Sequence, residues 1–148
     1  MIIEVLGCKN DVLKKEIERA AFYFGRALLS HQMLPYIELE IVMKTTMSDL
    51  GTCDVTHYND WYKPRYFTIE LRRHRSFKTT ITTLAHEMVH LKQFAKGELA
   101  LMQDRWHKQS IDTEEIPYNE LPWEVEASAL EHVLYGMYVD QYGKPITS

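Results

Sequence analysis

The run His86-Glu87-Met88-Val89-His90 holds the residue types most able to do chemistry in this chain. On a helix, positions four apart share a face, with Cβ atoms about 5–6 Å from one another. Two imidazoles so spaced can converge on one tetrahedral zinc at roughly 2.0–2.1 Å each. Glu87 is offset by about 100° around such a helix and reaches the ion less easily. It is placed instead to take a proton from water held there. The pattern therefore predicts a Zn2+ site with His86 and His90 as ligands and Glu87 as the catalytic base. The plainer alternative is an amphipathic helix that carries two histidines by chance.

The flanking residues favour a buried helix. Ile81, Leu84, Ala85, Met88, Leu91 and Ala95 recur at helical spacing, and Gly97 suits the left-handed turn past a helix end. Thr79-Thr80-Ile81-Thr82-Thr83 is a β-branched run that argues for strand. The longer apolar periodicity outweighs it, and the spacing predicts a helix over residues 76–96.

Other elements must hold that helix in place. Residues 11–30 read as a first helix, capped by Asn10 or Asp11, with Leu13, Ile17, Ala20, Ala21, Phe24, Ala27 and Leu28 on its apolar face. Residues 37–43 alternate, with Ile37, Leu39, Ile41 and Met43 on one side of a half-buried strand. Residues 51–58 give a weaker strand, and residues 66–71 a third, in which Phe67, Ile69 and Leu71 share a face. Beyond Gly97 the chain turns polar and irregular up to residue 120. Pro122 then suits the first turn of a last helix over residues 123–139, with Leu130, Val133, Leu134 and Met137 on its inner face. Helix, three strands, helix, loop, helix make one small α+β domain spanning residues 1–148.

Bulk properties narrow the function classes. The 148 residues suffice for one domain with a real core, and 45% hydrophobic with 26% charged residues is ordinary for a globular protein. A net charge of −4 gives no general affinity for nucleic acid or an anionic membrane. No apolar run approaches the ~20 residues that span a bilayer. The first residues lack the pattern of a signal peptide. Cys8 and Cys53 alone imply no disulfide framework. A cytoplasmic protein with two reduced thiols is the expectation.

A catalytic zinc takes three protein ligands plus water, so a third donor must come from elsewhere. The last helix opens Pro122-Trp123-Glu124-Val125-Glu126-Ala127-Ser128, with two carboxylates. Periodicity puts Glu126 near the middle of the Leu130/Val133/Met137 stripe, whereas Glu124 shares a face with Ser128 and Glu131. A carboxylate within an apolar stripe is costly unless paired or metal-bound, which makes Glu126 a serious rival to Glu124. Either residue is equally at home as a solvated acid at a helix start.

His-Glu-x-x-His followed some tens of residues later by Glu-x-Glu-Ala resembles the glutamate-liganded zincins. Nearest are the small single-domain ImmA/IrrE-type peptidases and the short SprT-like metallopeptidases of phages. The resemblance covers roughly residues 66–138 and rests mainly on residues 86–90 and 122–127. It implies a zincin-like, minimal gluzincin fold, with a zinc-dependent peptidase acting on a peptide or protein substrate. In the family the first glutamate of Glu-x-x-Ala-Asp binds zinc, which falls on Glu124; Glu126 stays open as the rival. The acid or amide that follows it there, often a partner for a ligand histidine, falls on Ser128, a departure from the pattern. Glu131, further along the same helix, is a candidate to orient a ligand histidine through its second nitrogen. The strand at residues 66–71 is an expected pairing site for an extended substrate.

Rival readings come from other residues. His57, His74 and His107 each stand alone and read as surface histidines. Arg65, Arg72, Arg73, His74, Arg75 and Lys78 form a local basic cluster that a DNA-associated, SprT-like protease would use on a phosphate backbone. The charged end of a strand explains it as well. Tyr118 is a candidate to polarise an intermediate's oxygen, and Trp61, Tyr62 and Trp106 to line a pocket, though loop and core packing account for them too. A non-catalytic metal-binding regulatory module would also keep the His-Glu-x-x-His helix. A phage enzyme cutting cell-wall peptides would need export, for which the sequence has no visible signal.

Overall fold

A computed structural model describes residues 1–56 and 64–144. The elements run β1 (Ile2–Leu6), α1 (Asp11–Leu28), β2 (Glu38–Lys44), β3 (Gly51–Val55), β4 (Tyr66–Arg72), α2 (Phe77–Ala95), β5 (Arg105–Trp106), β6 (Gln109–Ser110) and α3 (Pro122–Tyr142). The architecture is α+β. Among the described residues it comprises three α-helices, a mixed four-stranded sheet and a separate two-stranded hairpin. His57, Tyr58, Trp61, Tyr62 and Pro145 lie outside the described residues.

The sheet order is β1-β2-β4-β3. β1, β2 and β4 are parallel, and β3 runs antiparallel to β4. Period-two alternation sends Leu39, Ile41, Met43, Cys53, Val55, Phe67, Ile69 and Leu71 into the core. The opposite face carries polar residues such as Glu38, Glu40 and Asp54, all exposed, and a Lys44–Glu70 ion pair between β2 and β4. Sequence periodicity predicts three strands; the fourth, β1, pairs with β2 in the register Ile3↔Leu39 and Val5↔Ile41. Ile2-Ile3 breaks the alternation, so period two does not reveal it.

α1 starts where Asn10 Oδ1 accepts from the Val12 and Leu13 amides. Its buried residues are Ile17, Ala20, Ala21, Phe24 and Gly25, while Ala27 is exposed. α2 begins at Ser76, whose Oγ accepts from the Thr79 amide at 3.2 Å. Thr80 Oγ1 bonds back to the Ser76 carbonyl at 3.1 Å, which lets part of the threonine run sit in a helix. Gly97 (φ +72) ends it: its amide donates to Phe94 O and that of Glu98 to Gln93 O, a Schellman motif. α2 is buried around nearly its whole circumference, between the sheet strands β3 and β4 and the flanking helices α1 and α3.

α3 departs from the expected face. Its buried residues are Trp123, Glu124, Ala127, Leu134 and Tyr138, whereas Val133 is 55% and Met137 42% exposed. The stripe that made Glu126 a rival is therefore largely an outer stripe. Aromatic packing overrides it. Tyr138 packs against Tyr23 and Phe24, and its hydroxyl donates to Glu16 Oε2 at 2.5 Å while accepting from Arg19 Nε at 3.1 Å. Residues 97–120 are also less irregular than expected. The short strands β5 and β6 pair around a turn at His107 and Lys108 (φ 49 and 70), and Trp106 approaches Trp123 at 6.3 Å between ring centroids.

Candidate metal centre

Two helices bring the site together. His86 and His90 lie one turn apart on α2, their rings 4.9 Å apart between centroids. Glu124 sits in the first turn of α3, which Pro122 opens at a position where no amide hydrogen is needed. Glu124 Oε1 stands 3.0 Å from His86 Nε2, and Glu124 Oε2 stands 3.0 Å from His90 Nε2. One ligand atom from each of the three residues falls within 4.8 Å of the others. Two imidazole nitrogens and a carboxylate oxygen are a donor set that suits zinc and related divalent ions. These residues therefore fit a metal ion.

The outward-facing ring nitrogens also meet side chains. His90 Nδ1 lies 2.8 Å from Gln93 Oε1, and His86 Nδ1 lies 3.8 Å from Glu131 Oε2. Glu131 is thus turned toward a histidine of the site. Ser128, by contrast, is exposed on α3.

Without an ion the site favours protons. Burial works against charge on His86 and His90, but hydrogen bonds with Glu124 and the field of Glu87 outweigh it and raise both above the ordinary histidine value. Burial would lift Glu124 too; its hydrogen bonds to the two imidazoles prevail and bring it down to about 2. Glu87 is pushed up to about 7 by burial, against the pull of His90 and His86.

Glu87 shares with Glu124 a cleft of about 300 Å3 whose walls include Asp49, Gly51 and Tyr118; an adjoining hollow of about 170 Å3 reaches His90. β3 passes close over α2 here. A Cβ on Gly51 would meet Thr83 Cγ2 at 2.7 Å and Glu87 Cγ at 3.1 Å, so any side chain there would force Thr83 and Glu87 to shift. Tyr118 is largely exposed, but partial burial of its hydroxyl and the facing Glu124 carboxylate push its pKa up.

Glu126 does not join the histidines. Its Oε1 accepts from Lys92 Nζ at 2.6 Å and from Gln93 Nε2 at 3.1 Å. Burial opposes its charge, but these bonds hold its carboxyl below the ordinary value. The basic cluster is largely committed to structure: Arg65 donates to Pro64 O and Ala95 O, Arg72 to Met47 O, and Arg73 to Gly7 O. His74 Nδ1 accepts from the Ser76 amide, and His107 packs edge-on against Trp106.

The strand expected to pair with substrate is an interior one. β4 is bonded to β2 on one side and β3 on the other, which leaves it no free edge. Among the described residues β3 is the outer strand on that side. Three residues of the site are not among those assigned to it from the sequence: Gln93, Asp49 and Gly51. Gln93, three residues past His90, offers the clearest signal, since position i+3 returns to the same helix face. No helix of the described residues is long and apolar enough to cross a membrane. No protein-family model, curated protein or solved structure matches the chain.

Proposed function

We propose that the protein is a zincin-like, zinc-dependent peptidase in which His86, His90 and Glu124 hold the ion and Glu87 is the general base. The observation that carries this reading is the clasp of both Glu124 oxygens by the two Nε2 atoms, 3.0 Å each, beside a buried Glu87. A zinc ion held there would lower the pKa of water to about 7 and polarise a peptide carbonyl. Glu87 receives the proton of the attacking water and returns it to the leaving amine. Tyr118 supplies a hydroxyl donor at the rim for the oxygen that gains charge.

Substrate binding follows from the edge strand. In β3 the even-numbered residues bond to β4, as shown by Arg72 N to Leu50 O and Thr56 N to Tyr66 O. Alternation then turns the backbone groups of Gly51, Cys53 and Val55 outward. An extended peptide adding a strand there would run beside Gly51 and so pass Glu87.

The test is to load the metal-free protein with zinc and offer it a library of unfolded proteins, with Glu87→Gln as control. Cleavage by the parent and none by the variant, at equal zinc content, is the expected result. A zinc-loaded parent that cuts nothing would make this a non-catalytic metal-binding module.

A further inference from the structure

Behind the histidines, one buried amide joins both helices of the site. Gln93 is 0% exposed and lies one turn along α2 from His90. Its Oε1 stands 2.8 Å from His90 Nδ1. Its Nε2 donates to the Trp123 carbonyl at 3.0 Å and to Glu126 Oε1 at 3.1 Å. Trp123 directly precedes Glu124. A single side chain therefore grips the outer nitrogen of one candidate ligand and the backbone beside another.

The partners leave the amide one orientation. A carbonyl oxygen and a carboxylate only accept hydrogen bonds, so the amide nitrogen must face them. The amide oxygen is then left for His90, and it too only accepts. His90 must donate from Nδ1, which in a neutral imidazole puts the lone pair on Nε2. Nε2 faces Glu124 Oε2, which also only accepts, so in the metal-free site both ring nitrogens donate, and a metal ion would take the place of the Nε2 proton. Glu126 is secured in turn by Lys92 Nζ, which also donates to Glu98 Oε1 at 2.7 Å.

We infer that Gln93 is a positioning residue of the metal centre. Its amide fixes His90 as the Nδ1–H tautomer and ties the start of α3 to α2, so that Glu124 arrives opposite the histidines. This rests on the ligand assignment proposed above. Filling space would be done equally well by methionine, which matches glutamine in length but carries no amide.

Zinc affinity, measured by competition with a chromophoric chelator, separates the two roles. Gln93→Met should weaken zinc binding roughly 10–100-fold. Gln93→Glu should also weaken it, since the new carboxylate meets the Trp123 carbonyl and Glu126. Adding Glu126→Gln to that variant restores a donor and should regain affinity. A folded Gln93→Met protein with parental affinity, or no regain in the double variant, would overturn the inference. If Gln93→Met does not fold, the tautomer of His90 decides. Long-range 1H–15N spectra of metal-free Glu124→Ala, which lacks the acceptor facing Nε2, taken at a pH where the ring shifts show a neutral imidazole, should show His90 protonated at Nδ1. An Nε2–H tautomer would reject the role of Gln93. That spectrum reads the inference even if the parent binds no zinc, an outcome that would instead remove the ligand assignment.

Discussion

Glu124 Oε1 meets His86 Nε2 at 3.0 Å across 38 residues of chain. The same carboxylate reaches His90 with its other oxygen, while Glu126, two residues on, is bound to Lys92. The two glutamates should therefore respond differently to truncation. Glu124→Ala should reduce zinc affinity by more than about 100-fold, beyond the usual effect of residues behind a ligand. Glu126→Ala should cost about 10-fold or less, through Gln93. Equal losses measured by chelator competition, or a larger one for Glu126, would reverse the assignment.

Glu87 should matter for turnover and little for metal. Glu87→Gln keeps the shape and removes the base, so kcat should fall by about 10²–10⁴ while zinc stoichiometry stays at the parental value. Parental kcat in the variant would refute the general-base role.

Gly51 gives a more local test. Alanine there drives a methyl group against Thr83 and Glu87. Gly51→Ala should lower stability by about 1–3 kcal/mol through overpacking and displace the Glu87 carboxylate. Denaturant melts and kinetics together would show reduced stability and reduced kcat at normal zinc content. A variant that matches its parent in both would mean that β3 yields easily.

The pH dependence of the metal-free protein has a definite sign. His86 and His90 are raised, so the stability they add is complete below the ordinary 6.5 and is lost as pH rises through their folded values. Glu87, raised from 4.5 to about 7, acts in the same direction but earlier, its contribution being lost as pH rises from 4.5 to about 7. Glu124, lowered from 4.5 to about 2, adds stability above 4.5 that is lost as pH falls toward 2. The site contributes most just above 4.5, declines from there as Glu87 loses its share, and contributes least in mild alkali. Urea melts in chelator should give a lower midpoint at about pH 8 than at about pH 5.5, with the difference reduced in Glu124→Gln. Zinc affinity should show the opposite trend and rise with pH, because the ion displaces those protons. A higher midpoint at the alkaline pH would contradict this electrostatic account.

The features that local rules govern were legible in the sequence. The apolar stripe and Gly97 mark α2, and the alternation of residues 37–43 and 66–71 marks two strands. Spacing puts His86 and His90 on one face, but cannot choose between Glu124 and Glu126. That choice depends on which side of α3 faces in, and tertiary contacts of Trp123, Ala127 and Tyr138 set it against the pull of Val133 and Met137. Strand order was hidden for a similar reason: nothing in residues 51–55 tells that β3 would lie outside β4 and give the sheet its edge beside Glu87. The amide of Gln93 is legible only once its three partners, drawn from two helices, are in place.

Anomalous scattering recorded on either side of the zinc absorption edge, from crystals of protein grown with one equivalent of zinc, bears most directly on the central claim. The account predicts one strong peak within bonding distance of His86 Nε2, His90 Nε2 and a Glu124 oxygen. Absence of a peak there, or an ion bound elsewhere while these three side chains still hydrogen-bond to one another, would contradict it.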